Sequence, residues 1–149
     1  MRIRVKRLTA PDGSRPPMPV YQTAGSAAAD LCYFGEKPAR FSFHERKALP
    51  TGLTVEIPEG YVGLIFARSG LALKEGLCLA NGVGVIDSDY RGEIKVALMS
   101  TSGQLVTVRP GDRIAQLMIL PVPRVSFEEA EALSDTVRGE GGFGSTGRV

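Results

Sequence analysis

Four short stretches hold most of the side chains able to do chemistry. In "GVGVIDSDYRGE", Gly82 to Glu93, Asp87 and Asp89 follow the apolar Val83, Val85 and Ile86. A carboxylate held at the edge of a buried apolar surface needs a reason to exist, and general-base work is one. The same residues also read as an ordinary hairpin turned by Gly82 and Gly84, with its acidic end in water. In "ARSGLA", Ala67 to Ala72, Arg68 and Ser69 stand at a candidate helix start, with Ser69 as its cap. Free backbone N–H groups and the positive end of the dipole attract anions there, although a surface arginine before a plain cap has the same spelling. In "RPGDRIAQLMILPV", Gln116 is the sole polar side chain between Ala115 and Pro121 and must find a hydrogen-bond partner, for which a neighbouring strand suffices. "RGEGGFGSTG", Arg138 to Gly147, combines five glycines with Arg138, Phe143, Ser145 and Thr146. Such a tail either stays disordered or closes over something flat and negatively charged. Glycine permits close approach, the ring offers a face, and the guanidinium and hydroxyls bond oxyanions.

Several familiar chemistries are excluded by context. "GEGGFG" fits the GxGxxG pattern, but too little chain follows for the helix that must hold the pyrophosphate, and no GxxxxGK[ST] occurs. A calcium loop starting at Asp87 would place Arg91 and Leu98 at ligand positions, and neither supplies a carboxylate. His44 is the only histidine, lies far from all four stretches, and reads as a surface residue. With it go a zinc site and a Ser-His-Asp triad. The chemistry must therefore run on carboxylates, arginines and a borrowed metal ion.

The elements that position these groups read as strands. Apolar and polar residues alternate at Ile3 and Val5, at Leu53, Val55 and Ile57, and at Ile94, Val96 and Leu98. Turn signals such as "PDGSRPP", "PEG", "YRG", "TSG" and "RPGD" recur about every ten residues, the spacing of an all-β sandwich or barrel. Room for helix exists in "SGLALKEG", ended by Gly76. "FEEAEALSDTV" suits either a helix or an edge strand, which leaves 127–137 open. Pro11 to Pro19 reads as an extended connection rather than an interdomain linker.

The chain has 149 residues, enough for one domain with a core of its own. A formal net charge of +2 is too small to predict a nucleic-acid footprint or a membrane-surface patch, so any anion site is local. No stretch approaches the roughly 18 apolar residues of a membrane span, and no secretory h-region follows the charged start. These features predict a soluble, cytoplasmic protein without nucleic-acid or membrane partners. Cys32 and Cys78, with no CxxC spacing, read as buried thiols.

Taken in order, "AGSAAADL" (Ala24 to Leu31), "ARSGLA", "GVGVIDSDYRGE", "RPGDRIAQLMI" and "RGEGGFGSTG" resemble the five sequence motifs of the trimeric dUTP pyrophosphatases, or dUTPases. The likeness covers almost the whole chain. Ala67 stands where the family usually has proline, and Ala28 and Ala29 replace a glycine and a bulky residue, departures that touch stiffness and packing rather than charge. The resemblance implies an all-β, jelly-roll-like subunit with at most one short helix, a β-domain over 1–137 and a mobile tail over 138–149. It implies a homotrimer with sites shared between subunits. It further implies hydrolysis of dUTP to dUMP and pyrophosphate with Mg²⁺, which keeps uracil out of DNA and supplies dUMP for dTMP synthesis. By the same resemblance Asp87 activates the water that attacks the α-phosphorus, and Asp30 holds Mg²⁺ through water. Arg68, Ser69, Gly70 and Gln116 bind the phosphate chain. Asn81, Gly84 and Val85 present the hairpin to uracil, Tyr90 packs on the deoxyribose, and Arg138, Phe143, Gly144, Ser145 and Thr146 close over the substrate. A dCTP deaminase of the same superfamily and a nucleotide-sensing regulatory protein are the competing expectations.

Overall fold

The computed structural model describes residues 1–142. Within them the chain forms eleven strands and a single helix. The strands are β1 (Arg4–Arg7), β2 (Ala29–Cys32), β3 (Ala39–Phe41), β4 (Arg46–Pro50), β5 (Leu53–Glu56), β6 (Tyr61–Phe66), β7 (Leu77–Leu79), β8 (Gly84–Ile86), β9 (Lys95–Ser100), β10 (Val106–Val108) and β11 (Arg113–Pro121). The helix, α1, spans Ser69–Glu75 between β6 and β7. All strand pairing is antiparallel and falls into four sheets: β1 with β5, β10 with β3, the order β2-β11-β6-β8, and the order β4-β9-β7. No helix among the described residues is long and apolar enough to cross a membrane.

Alternation in the sequence becomes one wet and one dry face. Along β9, Val96, Leu98 and Ser100 are buried while Lys95 points to solvent, and on β5 Leu53 and Val55 are buried. Inward residues from all four sheets meet in one cluster that includes Leu31, Phe41, Leu53, Ile65, Leu77, Val96, Val108 and Leu117. Each such side chain contributes about 1.5–3 kcal/mol by leaving water, which is what makes the register of the surrounding strands specific. The result is an all-β fold with one short helix among the described residues.

Two expectations need correction here. Ser69 is the first helical residue rather than the cap: Arg68 occupies that position with extended backbone (φ −91°, ψ 128°), and no side chain caps α1. The stop signal is where the sequence puts it. Gly76 adopts φ 66° and donates its N–H to the Leu71 carbonyl, the left-handed ending that glycine tolerates best. Residues 127–137 form neither helix nor strand. Among the described residues regular structure ends with β11 at Pro121, and Phe127 and Leu133 lie 96% and 89% exposed. A helix there would have no apolar surface of its own chain to cover, and packing rather than propensity sustains short helices. His44 sits exposed in the tight turn between β3 and β4, with φ 60° and its ring stacked on Phe43 at 3.8 Å. Cys32 and Cys78 are free and half-buried, and burial, aided by the nearby Asp30 charge, pushes the Cys32 thiol up and away from reactivity.

Candidate active site

The four-stranded sheet brings three of the sequence motifs into one row. Asp30 on β2 lies opposite Gln116 on β11, and Gln116 lies opposite Phe66 on β6. Immediately past Phe66 the chain turns through Ala67 and Arg68 into α1. Gln116 fixes that turn, its Nε2 donating to the Ala67 carbonyl at 3.0 Å. This is the partner that a lone glutamine in an apolar strand requires, and it comes from the exit of the next strand.

Asp30 is 8% exposed, and both of its oxygens have arginine partners, as a buried carboxylate requires. Arg68 Nε lies 3.1 Å from Oδ1, and Arg113 Nη1 donates to Oδ2 at 3.0 Å. Arg68 Nη1 in turn donates to the Arg113 carbonyl at 3.2 Å, which closes a small network. Arg113 escaped the sequence reading. The cue was a cation at the start of an apolar strand, and a register shift between Arg113 and Ala115 aims it back at Asp30. A cavity of about 610 Å³ opens beside the network, lined by Asp30, Arg68, Ser69, Gly70 and Gln116 together with Ala28 and Ala67. Two of the unusual alanines thus line this pocket, while Ala29 is buried in the core.

The expected β-hairpin is not formed: β7 pairs with β9 and β8 with β6, so the turn between them links two different sheets, and β8 is the opposite edge of the sheet that carries Asp30. Asn81 to Val83 form the turn from β7 to β8, with Gly82 at φ 71° donating to the Leu79 carbonyl at 3.3 Å, and Gly84 enters β8 instead of sharing the turn. Asp87 follows β8 directly and is exposed. The expected buried apolar flank is absent in the single chain, since β8 is an edge strand and leaves Val83 40% and Val85 60% exposed. Beyond Asp87 the turn is tied by its own groups: Tyr90 N–H donates to the Asp87 carbonyl at 3.2 Å, and Arg91 Nη1 donates to the Ser88 and Tyr90 carbonyls at 2.6 and 2.9 Å.

Within one chain the two halves do not meet. Ile86, next to Asp87, pairs with Gly63, whereas the Asp30 row runs through Phe66, so the two lie three strands apart across the sheet and three residues apart along it. At about 4.8 Å per strand and 3.3 Å per residue that is on the order of 17 Å between α-carbons. No bond of one triphosphate spans that gap. The cavity holding Asp30 and Ser69 accordingly includes none of Asn81, Gly84, Val85, Asp87 or Tyr90. Arg138 lies in an exposed turn, its Nε donating to the Gly141 carbonyl at 2.8 Å. Phe143, Gly144, Ser145 and Thr146 lie outside the described residues.

The donor set also fits a particular kind of metal ion. Among the described residues no group of three or more His, Cys, Asp or Glu side chains converges, and Asp30 has both oxygens committed to guanidinium groups. An ion needing an all-protein cage does not fit. Mg²⁺ does, because it keeps several waters and takes other oxygens from substrate phosphates, so Asp30 can reach it through water without giving up its arginines.

An all-β chain with an arginine-backed pocket beside one edge strand of its four-stranded sheet, and a glycine-bearing turn beside the other, has a place where a polyanionic ligand could be held. The dUTPase family model matches residues 15–147. The deoxyuridine 5'-triphosphate nucleotidohydrolase of Desulfitobacterium hafniense is 48% identical over 146 residues, 97% of either chain. Among solved structures, a mutant dUTPase of Staphylococcus bacteriophage 80alpha with dUpNHpp has a TM-score of 0.81 at 26% identity, covering 98% of both chains. A mutant dUTPase from phage phi11 of S. aureus, whose structure concerns coordination of a structural Mg(II) ion, shares the fold with a TM-score of 0.76 at 23% identity, over 89% of this chain and 98% of that one. The chain belongs to the dUTPase family.

Proposed function

We propose that this chain hydrolyses dUTP to dUMP and pyrophosphate, in a homotrimer whose active sites are shared between subunits. The observation carrying the shared site is the separation of Asp87 from the Asp30, Arg68 and Ser69 pocket within one chain, since the base and the phosphate ligands must serve one triphosphate. The exposed apolar strip at Val83, Val85 and Tyr90 supports the same reading, because a neighbouring subunit would cover it.

In the proposed course, Ser69, Gly70 and Gln116 hold the phosphate chain with Arg68 beside it. The turn and strand from Asn81 to Val85 offer backbone groups to uracil, whose O4 accepts where cytosine N4 donates. Asp87 takes a proton from a water whose oxygen bonds to the α-phosphorus, and the bond to the α,β-bridging oxygen breaks, releasing pyrophosphate. Asp30 would hold Mg²⁺ through water, and the ion, when bound, would supply charge neutralisation on the triphosphate. Tyr90 packs on the deoxyribose and excludes a 2′-hydroxyl. The tail carries Phe143 over the uracil ring and Arg138, Gly144, Ser145 and Thr146 to the outer phosphates.

The test is a product assay with dUTP, dCTP, dTTP and UTP in Mg²⁺. dUMP and pyrophosphate from dUTP, with strong preference over the other three, is the expected result. dUTP formed from dCTP would point to a deaminase, no product to a sensor, and inorganic phosphate as first product would overturn attack at the α-phosphorus.

The tail makes a separate prediction. Stacking of a base on an aromatic ring is worth about 1–3 kcal/mol, so Phe143→Ala should lower kcat/KM for dUTP by about 5- to 150-fold. An unchanged value would mean that the tail does not close over the base.

A further inference from the structure

We infer that Gly92 is a specificity-determining position, setting sugar discrimination by leaving room for the Tyr90 ring; this rests on the reading that Tyr90 meets the deoxyribose. The ring is folded back over Gly92. A Cβ built there would lie 2.2 Å from Tyr90 Oη, 2.4 Å from Cζ and 2.8 Å from Cε2, distances that real carbon atoms do not share. Backbone conformation does not explain the glycine, because Gly92 is not among the residues with positive φ. The ring alone does.

The pose is fixed at its far end as well. Tyr90 Oη donates to the Glu93 carbonyl at 3.0 Å, and the Glu93 carboxylate is anchored by accepting the Gly52 N–H at 2.8 Å. One side of the ring therefore rests on Gly92, while the side chain remains 43% exposed for a sugar to meet. A methyl group at Gly92 would expel the end of a partly exposed side chain rather than disturb the core. The hydroxyl would leave the Glu93 carbonyl, and the space beside the sugar would open. Gly92 is thus a positioning residue acting through Tyr90.

The experiment measures kcat/KM for dUTP, UTP and dCTP in wild type, Gly92→Ala, Tyr90→Ala and the double variant, with thermal melting of each. A pocket contact of this size discriminates by about 10- to 200-fold, so Gly92→Ala should lower the dUTP-to-UTP ratio about tenfold or more. The dUTP-to-dCTP ratio, set in the proposed reading by the backbone from Asn81 to Val85, should hold, and the second substitution should add nothing once Tyr90 is alanine. A sugar ratio that falls in Tyr90→Ala but not in Gly92→Ala overturns the inference and leaves the Tyr90 reading standing. A ratio unmoved in Tyr90→Ala overturns both. If Gly92→Ala melts lower, the double variant should melt as Tyr90→Ala does, since the methyl then meets no ring; failure to recover overturns the inference.

Discussion

Asp87→Asn should leave dUTP binding largely intact and slow turnover by roughly 10² to 10⁴, the usual contribution of a positioned general base. The argument rests on two aspartates in opposite surroundings. Asp30 is buried with each oxygen on an arginine, and in the proposed reading it serves the phosphate pocket and its metal ion rather than the attacking water. Asp87 is exposed at the end of β8, and no cation is paired with it among the described residues. Two carboxylates in one site with unlike environments take unlike roles. Asparagine keeps the shape and loses the proton acceptor, so the loss should appear in kcat, with the affinity for a non-hydrolysable dUTP analogue nearly unchanged. A variant that kept half of the normal kcat would show that Asp87 is not the base.

Most of the scaffold was legible because its causes are local. Period-two patterns at Leu53 to Ile57 and Ile94 to Leu98 mark strands whose dry faces are indeed buried, and Gly76 ends the helix because its αL geometry is nearly private to glycine. The helix start slipped by one residue, since an extended Arg68 fills the cap position without any side-chain bond to betray it. Residues 127–137 resisted reading for a different reason. Their apolar members, Phe127 and Leu133, have no surface within their own chain, so periodicity there says nothing about the fold of one subunit.

The site was legible as a list of groups and illegible as an arrangement. Gln116 announced its need for a partner, but only strand register reveals that the partner is Ala67 and that Asp30 sits opposite. Arg113 was missed because its role depends on a bulge and on a carboxylate 83 positions away in the chain. Asp87 was expected against a buried wall, and the wall proved to be an open sheet edge. On the proposed trimer, that discrepancy and the exposed segment after β11 have one origin, since neighbouring subunits would cover both surfaces.

The shared site makes the second large prediction, a gain of activity from two inactive proteins. Ser69→Glu would put a negative charge into the phosphate pocket. It should fold, because Ser69 is an exposed first-turn residue and an acid suits that end of a helix. Asp87→Asn lacks the base. Each alone should be close to dead. In mixed trimers some sites would draw a sound Asp87 from the Ser69→Glu chain and a sound Ser69 from the Asp87→Asn chain. With random mixing at equal amounts, one half for each independent choice gives roughly a quarter of all sites complete.

The deciding measurement is dUTP hydrolysis after the two variants are unfolded together, refolded, and shown to have exchanged subunits. Recovery toward roughly a quarter of wild-type activity is the result expected of a site divided between chains. No recovery above the sum of the separate variants would place Asp87 and the phosphate pocket in the same subunit and contradict the shared site.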